Sequence, residues 1–278
     1  MCTFVVDAAV YVTFDIFDFV THKINLRLVL GFTHNSLSKN FRYMRGVTMS
    51  LFAIGDTHLS FGTDKPTDIF SGWENFEQKL EKNWRAIVKD GDTVVIPGDI
   101  TWGMTMEEAL EDFKFLDSLP GEKIILKGNH DYWWSTKNKA DKFFEANGIT
   151  TLKILNNNAY KVGDYALCGS RGWFFDSDKQ ADKKIVAREA GRLRMSIQQA
   201  DKLGGEKIAF LHYPPIAGGQ VCQEICDELV NGGVSQCYYG HLHGYSTSFA
   251  FNDEMFGIKF HLVSGDYLNF CPKLIVKF

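Results

Sequence analysis

The feature that most constrains this chain is a set of five short apolar runs, each stopping at a cluster of metal-binding or proton-carrying residues. The runs are residues 51–54, 93–96, 123–126, 207–211 and 235–239, too short to stand as helices. They end, in turn, at Gly55-Asp56-Thr57-His58, Gly98-Asp99, Gly128-Asn129-His130-Asp131, His212-Tyr213-Pro214 and Gly240-His241-Leu242-His243. Amphipathic stretches alternate with them and predict helices over 73–89, 106–118, 138–146, 183–203 and 220–230. In the first of these Phe76, Leu80, Trp84, Ile87 and Val88 recur at three- or four-residue steps, a face to pack on a sheet. Strand alternating with helix is the pattern of an α/β domain, and the carboxyl ends of its strands are where ligands collect. The final stretch, 247–278, reads as strands only, over 248–251, 259–263 and 273–276. Asn156-Asn157-Asn158 reads as the turn of a hairpin joining 152–155 to 159–162.

The clusters hold a definite chemistry. Asp56, His58, Asp99, Asn129, His212, His241 and His243 supply four imidazoles, two carboxylates and one amide oxygen, too many donors for one tetrahedral zinc and without the thiolates of a structural site. Two ions sharing one carboxylate fit the count. Mixed nitrogen and oxygen donors suit Mn, Fe or Zn, and Mg less well. Two such ions, roughly 3.5–4 Å apart, can hold a bridging hydroxide and clamp a phosphoryl oxygen, which is what hydrolysis of a phosphate ester needs. Any one cluster is a weak signal, because Asp and Gly are common turn residues and a lone His usually serves packing. Five in order, each after an apolar strand, are not.

Bulk charge adds exclusions. A formal net charge of −4 over 278 residues marks no binder of nucleic acid or anionic membrane. Six scattered cysteines, with no CxxC pair, predict reduced thiols and a cytoplasmic protein. Cys222 and Cys226, four apart, read either as a chelating pair or as two small buried residues. The first 48 residues differ from the rest. The apolar run 4–20 is broken by Asp7, Asp15 and Asp18, which suits neither a membrane span nor a signal peptide, and 22–45 is basic without a sustained period. The predicted organisation is therefore a non-native or poorly packed extension over 1–48 and an enzyme domain over 49–278. The alternative is a genuine extension that packs or tethers.

In order, the DTH, GD, GNHD, HYPP and GHLH motifs resemble the calcineurin-like metallophosphoesterase superfamily over residues 51 to about 266, and the whole is similar to bacterial predicted phosphohydrolases. The resemblance implies an α/β fold, a four-layer sandwich of two mixed β-sheets flanked by helices, with the metal site at the carboxyl ends of strands. It implies one metal on Asp56, His58 and His243, a second on Asn129, His212 and His241, and Asp99 bridging both. His130 would sit over the phosphate as general acid or electrostatic stabiliser, with Asp131 the partner that orients it. Where several branches place an acid or arginine after the second motif, this chain has Ile100-Thr101-Trp102, which disfavours a protein phosphatase.

For the substrate, Arg171 is read as a phosphate fork and Trp173 as a stacking surface, within the stretch 168–175; the opposing reading makes the aromatics core and Arg171 an ion-pair partner. Trp102, Tyr132, Trp133 and Tyr213 adjoin the motifs as cleft walls. The basic residues of 183–203 are interleaved with acids and read as a solvated helix face. The expected function is dinuclear metal-dependent hydrolysis of a small phosphodiester or phosphomonoester, with no membrane partner. The alternatives are a nuclease of the same superfamily and a non-catalytic protein-binding scaffold.

Overall fold

The computed structural model describes residues 2–5, 11–14, 49–67, 69–173 and 180–278. The chain divides into Met1–Gly46 and Val47–Phe278, each described by itself. In the first unit β1 (Cys2–Val5) and β2 (Tyr11–Phe14) pair antiparallel. The expectation of a poorly packed 1–48 otherwise lies outside the described residues.

The second unit begins with β3 (Ser50–Ala53), α1 (Phe76–Ile87), β4 (Thr93–Ile96), α2 (Leu110–Ser118), β5 (Glu122–Ile125), α3 (Lys137–Ala146) and β6 (Leu152–Ile154). Next come β7 (Tyr160–Val162), β8 (Tyr165–Ser170), α4 (Gln180–Leu203), β9 (Glu206–Leu211), the short pair β10 (Ile216–Ala217) and β11 (Gln220–Val221), and α5 (Gln223–Asn231). The chain closes with β12 (Val234–Tyr239), a 3₁₀ helix (Gly244–Phe249), β13 (Glu254–Met255), β14 (Ile258–Leu262) and β15 (Lys273–Lys277). One sheet has the order β15-β3-β4-β5-β6, the other β13-β14-β12-β9-β8-β7. Both are parallel at the centre and antiparallel at an edge, where β15 joins β3 in one, and β13 and β7 flank the other.

The four layers follow from the two-residue strand period. Leu51, Ala53, Val95, Ile124, Leu167, Ile208, Phe210 and Tyr238 meet between the sheets. Their neighbours Phe52, Ile54, Val94, Ile96 and Ile125 face outward onto Leu80, Trp84, Phe113, Leu116 and Phe144 of α1, α2 and α3. Ala166, Cys168, Ala209, Leu211, Cys237 and Tyr239 likewise face Val186, Leu193, Ile197, Ile225 and Leu229 of α4 and α5. With both faces covered, the central strands read as unbroken apolar runs. Cys222 and Cys226 belong to this second outer core, packed as small buried residues, where burial pushes their thiols up to about 11 and about 12.

Three local expectations change. Residues 152–155 and 159–162 form no hairpin, because β6 pairs with β5 and β7 with β8, so the Asn156–158 turn carries the chain from one sheet to the other. Residues 248–251 lie in and just after the 3₁₀ helix rather than in a strand. Finally, β8 runs through Cys168-Gly169-Ser170, part of the stretch 168–175 for which no strand was expected.

At the start of α2, buried Asp112 accepts from Phe61 N at 2.7 Å and from Thr101 Oγ1, pinning the two chain segments that leave the first and second motifs. Burial outweighs these hydrogen bonds and pushes its carboxyl up to about 6. The folded chain thus holds this proton more tightly than the unfolded chain, and stability falls as pH rises from about 4 to about 6. Asp112→Asn should remove that dependence and gain on the order of 2 kcal/mol over wild type between pH 4.5 and pH 7, read by urea denaturation. Parallel pH profiles for the two proteins would refute it.

Candidate metal centre

A backbone bond joins the two sheets at the carboxyl ends of their strands, and two more align strand ends within the second sheet. Gly55 N donates to Val263 O at 2.6 Å, Val263 N to Tyr239 O at 2.7 Å, and Gly240 N to His212 O at 3.1 Å. The first motif runs alongside the second, with Asp56 N donating to Gly98 O, His58 N to Asp99 O and Leu59 N to Ile100 O, each at 3.0 Å. All five motifs therefore converge on one edge.

They converge as two groups. Donor atoms of Asp56, His58 and His243 lie within 4.8 Å of one another, and so do those of Asp99, His212 and His241. Asn129 joins the second group, its Oδ1 lying 2.6 Å from His212 Nε2 and 2.9 Å from His241 Nδ1. Asp99 connects the groups. Its Oδ1 accepts from His130 N at 2.8 Å, which leaves Oδ2 facing His58 Nε2 at 3.6 Å and His212 Nε2 at 3.5 Å.

The donor set fits a pair of cations. His212 Nδ1 sits 3.1 Å from the Pro97 carbonyl, so its proton belongs there and Nε2 keeps a lone pair toward Asn129 and His241. His58 Nδ1 and His243 Nε2 are buried without a hydrogen-bonding partner. Burial, aided by the other imidazoles and opposed by Asp56 at His58 and by the Pro97 carbonyl at His212, holds both well below the usual histidine range. Burial would also lower His243, but the carboxylates of Asp56 and Asp266 outweigh it and carry this imidazole up to about 10. Burial raises Asp99 well above the carboxylate range, aided by Asp131 and Asp56. For Asp56 burial is overcome, chiefly by His243, and its carboxyl is lowered. The centre thus concentrates buried carboxylates and lone pairs that positive charge would satisfy.

The backbone bends to present these donors. Asp56 (φ 56°), His58 (φ 42°), Asp99 (φ 51°) and His241 (φ 74°) are left-handed, a conformation uncommon outside glycine and concentrated at functional sites. The glycines beside them serve space as much as turning: a Cβ on Gly128 would lie 2.0 Å from Asp99 Oδ1, and one on Gly240 2.3 Å from Asp56 Oδ2.

Asp131 does not take the expected place beside the His130 imidazole. It is fully buried and accepts from Gly128 N at 2.7 Å, from Asp99 N, Ile100 N and Trp133 Nε1 at 2.9 Å each, tying the second and third motifs into one unit. Asp131→Ala should therefore cost about 3 kcal/mol or more, since each buried donor left unpaired costs about 1–3 kcal/mol, and should weaken retention of both metals. Unchanged thermal stability and metal content would restore the orienting role.

His130 is half-buried, packed on Trp102 (4.7 Å between ring centroids) and edge-on to His58 (5.7 Å); burial lowers its imidazole below the usual range. It lines a cleft of about 440 Å³ with His58, Asp99, His241, His243 and the walls Thr67, Phe70, Ser71, Trp73, Trp102 and Gly244. Of the expected walls, Trp102 is in place and stacks on His58 at 4.7 Å, whereas Trp133 is core against Phe113. Arg171 and Trp173 are absent from the described lining of this cleft. Arg171 pairs with Glu189 at 3.4 Å and lies over Trp173, whose ring is tilted against Tyr213, itself tilted against His241 with ring centroids 4.4 Å apart. Sequence reasoning missed Asp266, whose Oδ1 lies 2.9 Å from His243 Nδ1 and so orients that imidazole. Its signal was present: Gly265-Asp266 follows β14 as Gly98-Asp99 follows β4.

Known proteins resemble this chain at the level of family and fold. The calcineurin-like phosphoesterase family matches residues 49–245. An uncharacterized protein of Methanocaldococcus jannaschii is 31% identical over 113 residues, 38% of this chain, and the match spans only 58% of that relative's length. Among solved structures, the phosphopantetheinyl hydrolase of Mycobacterium tuberculosis aligns over 83% of this chain and 97% of its own at 12% identity with a TM-score of 0.52, a likeness of fold. A protein of unknown function from Aquifex aeolicus aligns over 81% of this chain and 95% of its own at 14% identity with a TM-score of 0.46. No helix among the described residues is long and apolar enough to cross a membrane. With the family match covering most of the chain, and its motifs meeting at one sheet edge, this chain belongs to the calcineurin-like phosphoesterase family.

Proposed function

We propose that the chain hydrolyses a small phosphate ester, diester or monoester, at two metal ions held by Asp56, His58 and His243 and by Asn129, His212 and His241, with Asp99 shared. The observation that carries this reading is the position of Asp99 Oδ2, within 3.6 Å of a histidine nitrogen from each group. Bound there, a metal pair would supply Lewis acidity to a phosphoryl oxygen and lower the pKa of a water.

The protein's own part is placement. Asp266 and the Pro97 carbonyl fix the orientation of His243 and His212, and Asp131 fixes the loops beneath Asp99 and Asn129. The indoles of Trp73 and Trp102 wall the cleft and limit water around the reacting phosphate. The His130 imidazole, lining the same cleft, gives a proton to the ester oxygen as it leaves, the negative charge of the bound phosphate opposing the burial that otherwise disfavours its protonated form. Mn, Fe and Zn all suit this mixture of donors.

Metal analysis of the purified protein, followed by chromogenic mono- and diesters with Mn added, tests the reading. Two metals per chain and turnover of at least one ester class are expected. Two bound metals with no turnover of either class would favour the scaffold alternative, and a protein that binds no metal would end both the mechanism and the ligand assignment.

A further inference from the structure

A second cavity, of about 120 Å³, borders two of the metal loops and belongs to none of the chemistry above. Its polar walls include Lys127, Arg171, Glu189 and Arg192. Lys127 immediately precedes Gly128-Asn129, and the Arg171 carbonyl accepts from His212 N at 3.1 Å and Tyr213 N at 2.9 Å. Glu189 is fully buried. Its Oε1 accepts from Arg192 Nη1 at 2.7 Å and from Arg171 Nη2 at 3.4 Å, while its Oε2 has no partner. Arg171 Nε is also buried without a partner. The cavity thus sets three cations against one carboxylate, and two of the side chains that line it each carry a buried polar atom without a partner. Buried polar atoms in native proteins are nearly always satisfied, so a partner for each is called for.

We propose that this cavity binds a small oxyanion that also carries an O–H, of the phosphate class. Oxygens of the anion accept from Arg171 Nε and the Lys127 ammonium, and its hydroxyl donates to Glu189 Oε2. Guanidinium and ammonium together favour a compact tetrahedral anion. The space suits one phosphoryl-sized group and is well below the roughly 300 Å³ at which drug-sized ligand pockets begin. The site does not depend on the proposed reaction, and the phosphate-binding capacity of the metal pair is separated from it by measuring metal content alongside.

Equilibrium dialysis of the full-length, metal-loaded protein with radiolabelled inorganic phosphate near pH 7 tests the site in wild type, Arg171→Met and Lys127→Met. Lys127→Met serves where loss of the Arg171–Glu189 pair unfolds the chain. Wild type should show a binding component that either substitution weakens at least tenfold at unchanged metal content. Sulfate has no proton to give Glu189 at this pH and should compete about 10- to 100-fold less well, the cost of an unpaired buried acceptor. Phosphate binding unchanged in the folded variants would overturn the site and leave a water-filled ion-pair network; sulfate binding as tightly as phosphate would overturn the role given to Glu189.

Discussion

Asp99→Asn should leave a folded protein that holds little metal and has almost no turnover. The reason lies in how its two oxygens are used. Oδ1 accepts from His130 N, so the amide oxygen of asparagine must take that place. The NH₂ group then falls where Oδ2 stood, toward His58 and His212, and presents protons where a shared cation needs a lone pair. Both groups lose a ligand at once, and the loss should exceed the 10- to 100-fold typical of changes outside the ligand set. Folding should not suffer, because burial together with Asp131 and Asp56 already disfavours the charged form of Asp99. Metal content by mass spectrometry and the melting temperature in chelator separate the two effects. A variant that retains two metals and normal rates would show that Asp99 is not shared.

His130→Ala should spare the metals and cost turnover in proportion to the need of the leaving group. The contact between residue 130 and Asp99 is made by the backbone N–H, which alanine keeps. What disappears is the imidazole in the cleft. General acid help is typically worth about 10²- to 10⁴-fold, and an alkyl or sugar alkoxide should lose that much. A nitrophenolate, stable as an anion, should lose far less. The effect should fall on kcat and kcat/KM together, as for an interaction made in the transition state. An emptied metal site, or equal losses with good and poor leaving groups, would make His130 a ligand or a binding residue.

Legibility in the sequence followed physical range. The five motifs could be read because each sits directly after a buried strand, where an apolar run and its polar terminus are adjacent in the chain. β8 could not, since its small residues Ala166, Cys168 and Gly169 look like a loop. They are small because the neighbouring strand lies close: a Cβ on Gly169 would sit 2.1 Å from Phe210 O. The passage from β6 to β7 resembles any Asn-rich turn, and only long-range pairing decides that it links two sheets. Asp131 misled for a related reason. Its position next to His130 suggested a partner in sequence, whereas its four hydrogen bonds reach across 2 to 32 residues to backbone amides and an indole. Arg171 carried the right charge for a phosphate and faced a different cavity.

The left-handed turns at Asp56, His58, Asp99 and His241 bear on how such a sequence would decay. At these positions glycine would suit the main chain better than the residue present, and only the demand for a donor keeps a side chain there. His212 and Asn129 are under no such tension. A lineage freed from hydrolysis should therefore lose 56, 58, 99 and 241 first, drifting to glycine or asparagine, while 129 and 212 linger. The order of loss among inactive descendants would record which residues were held against the preference of their own backbone.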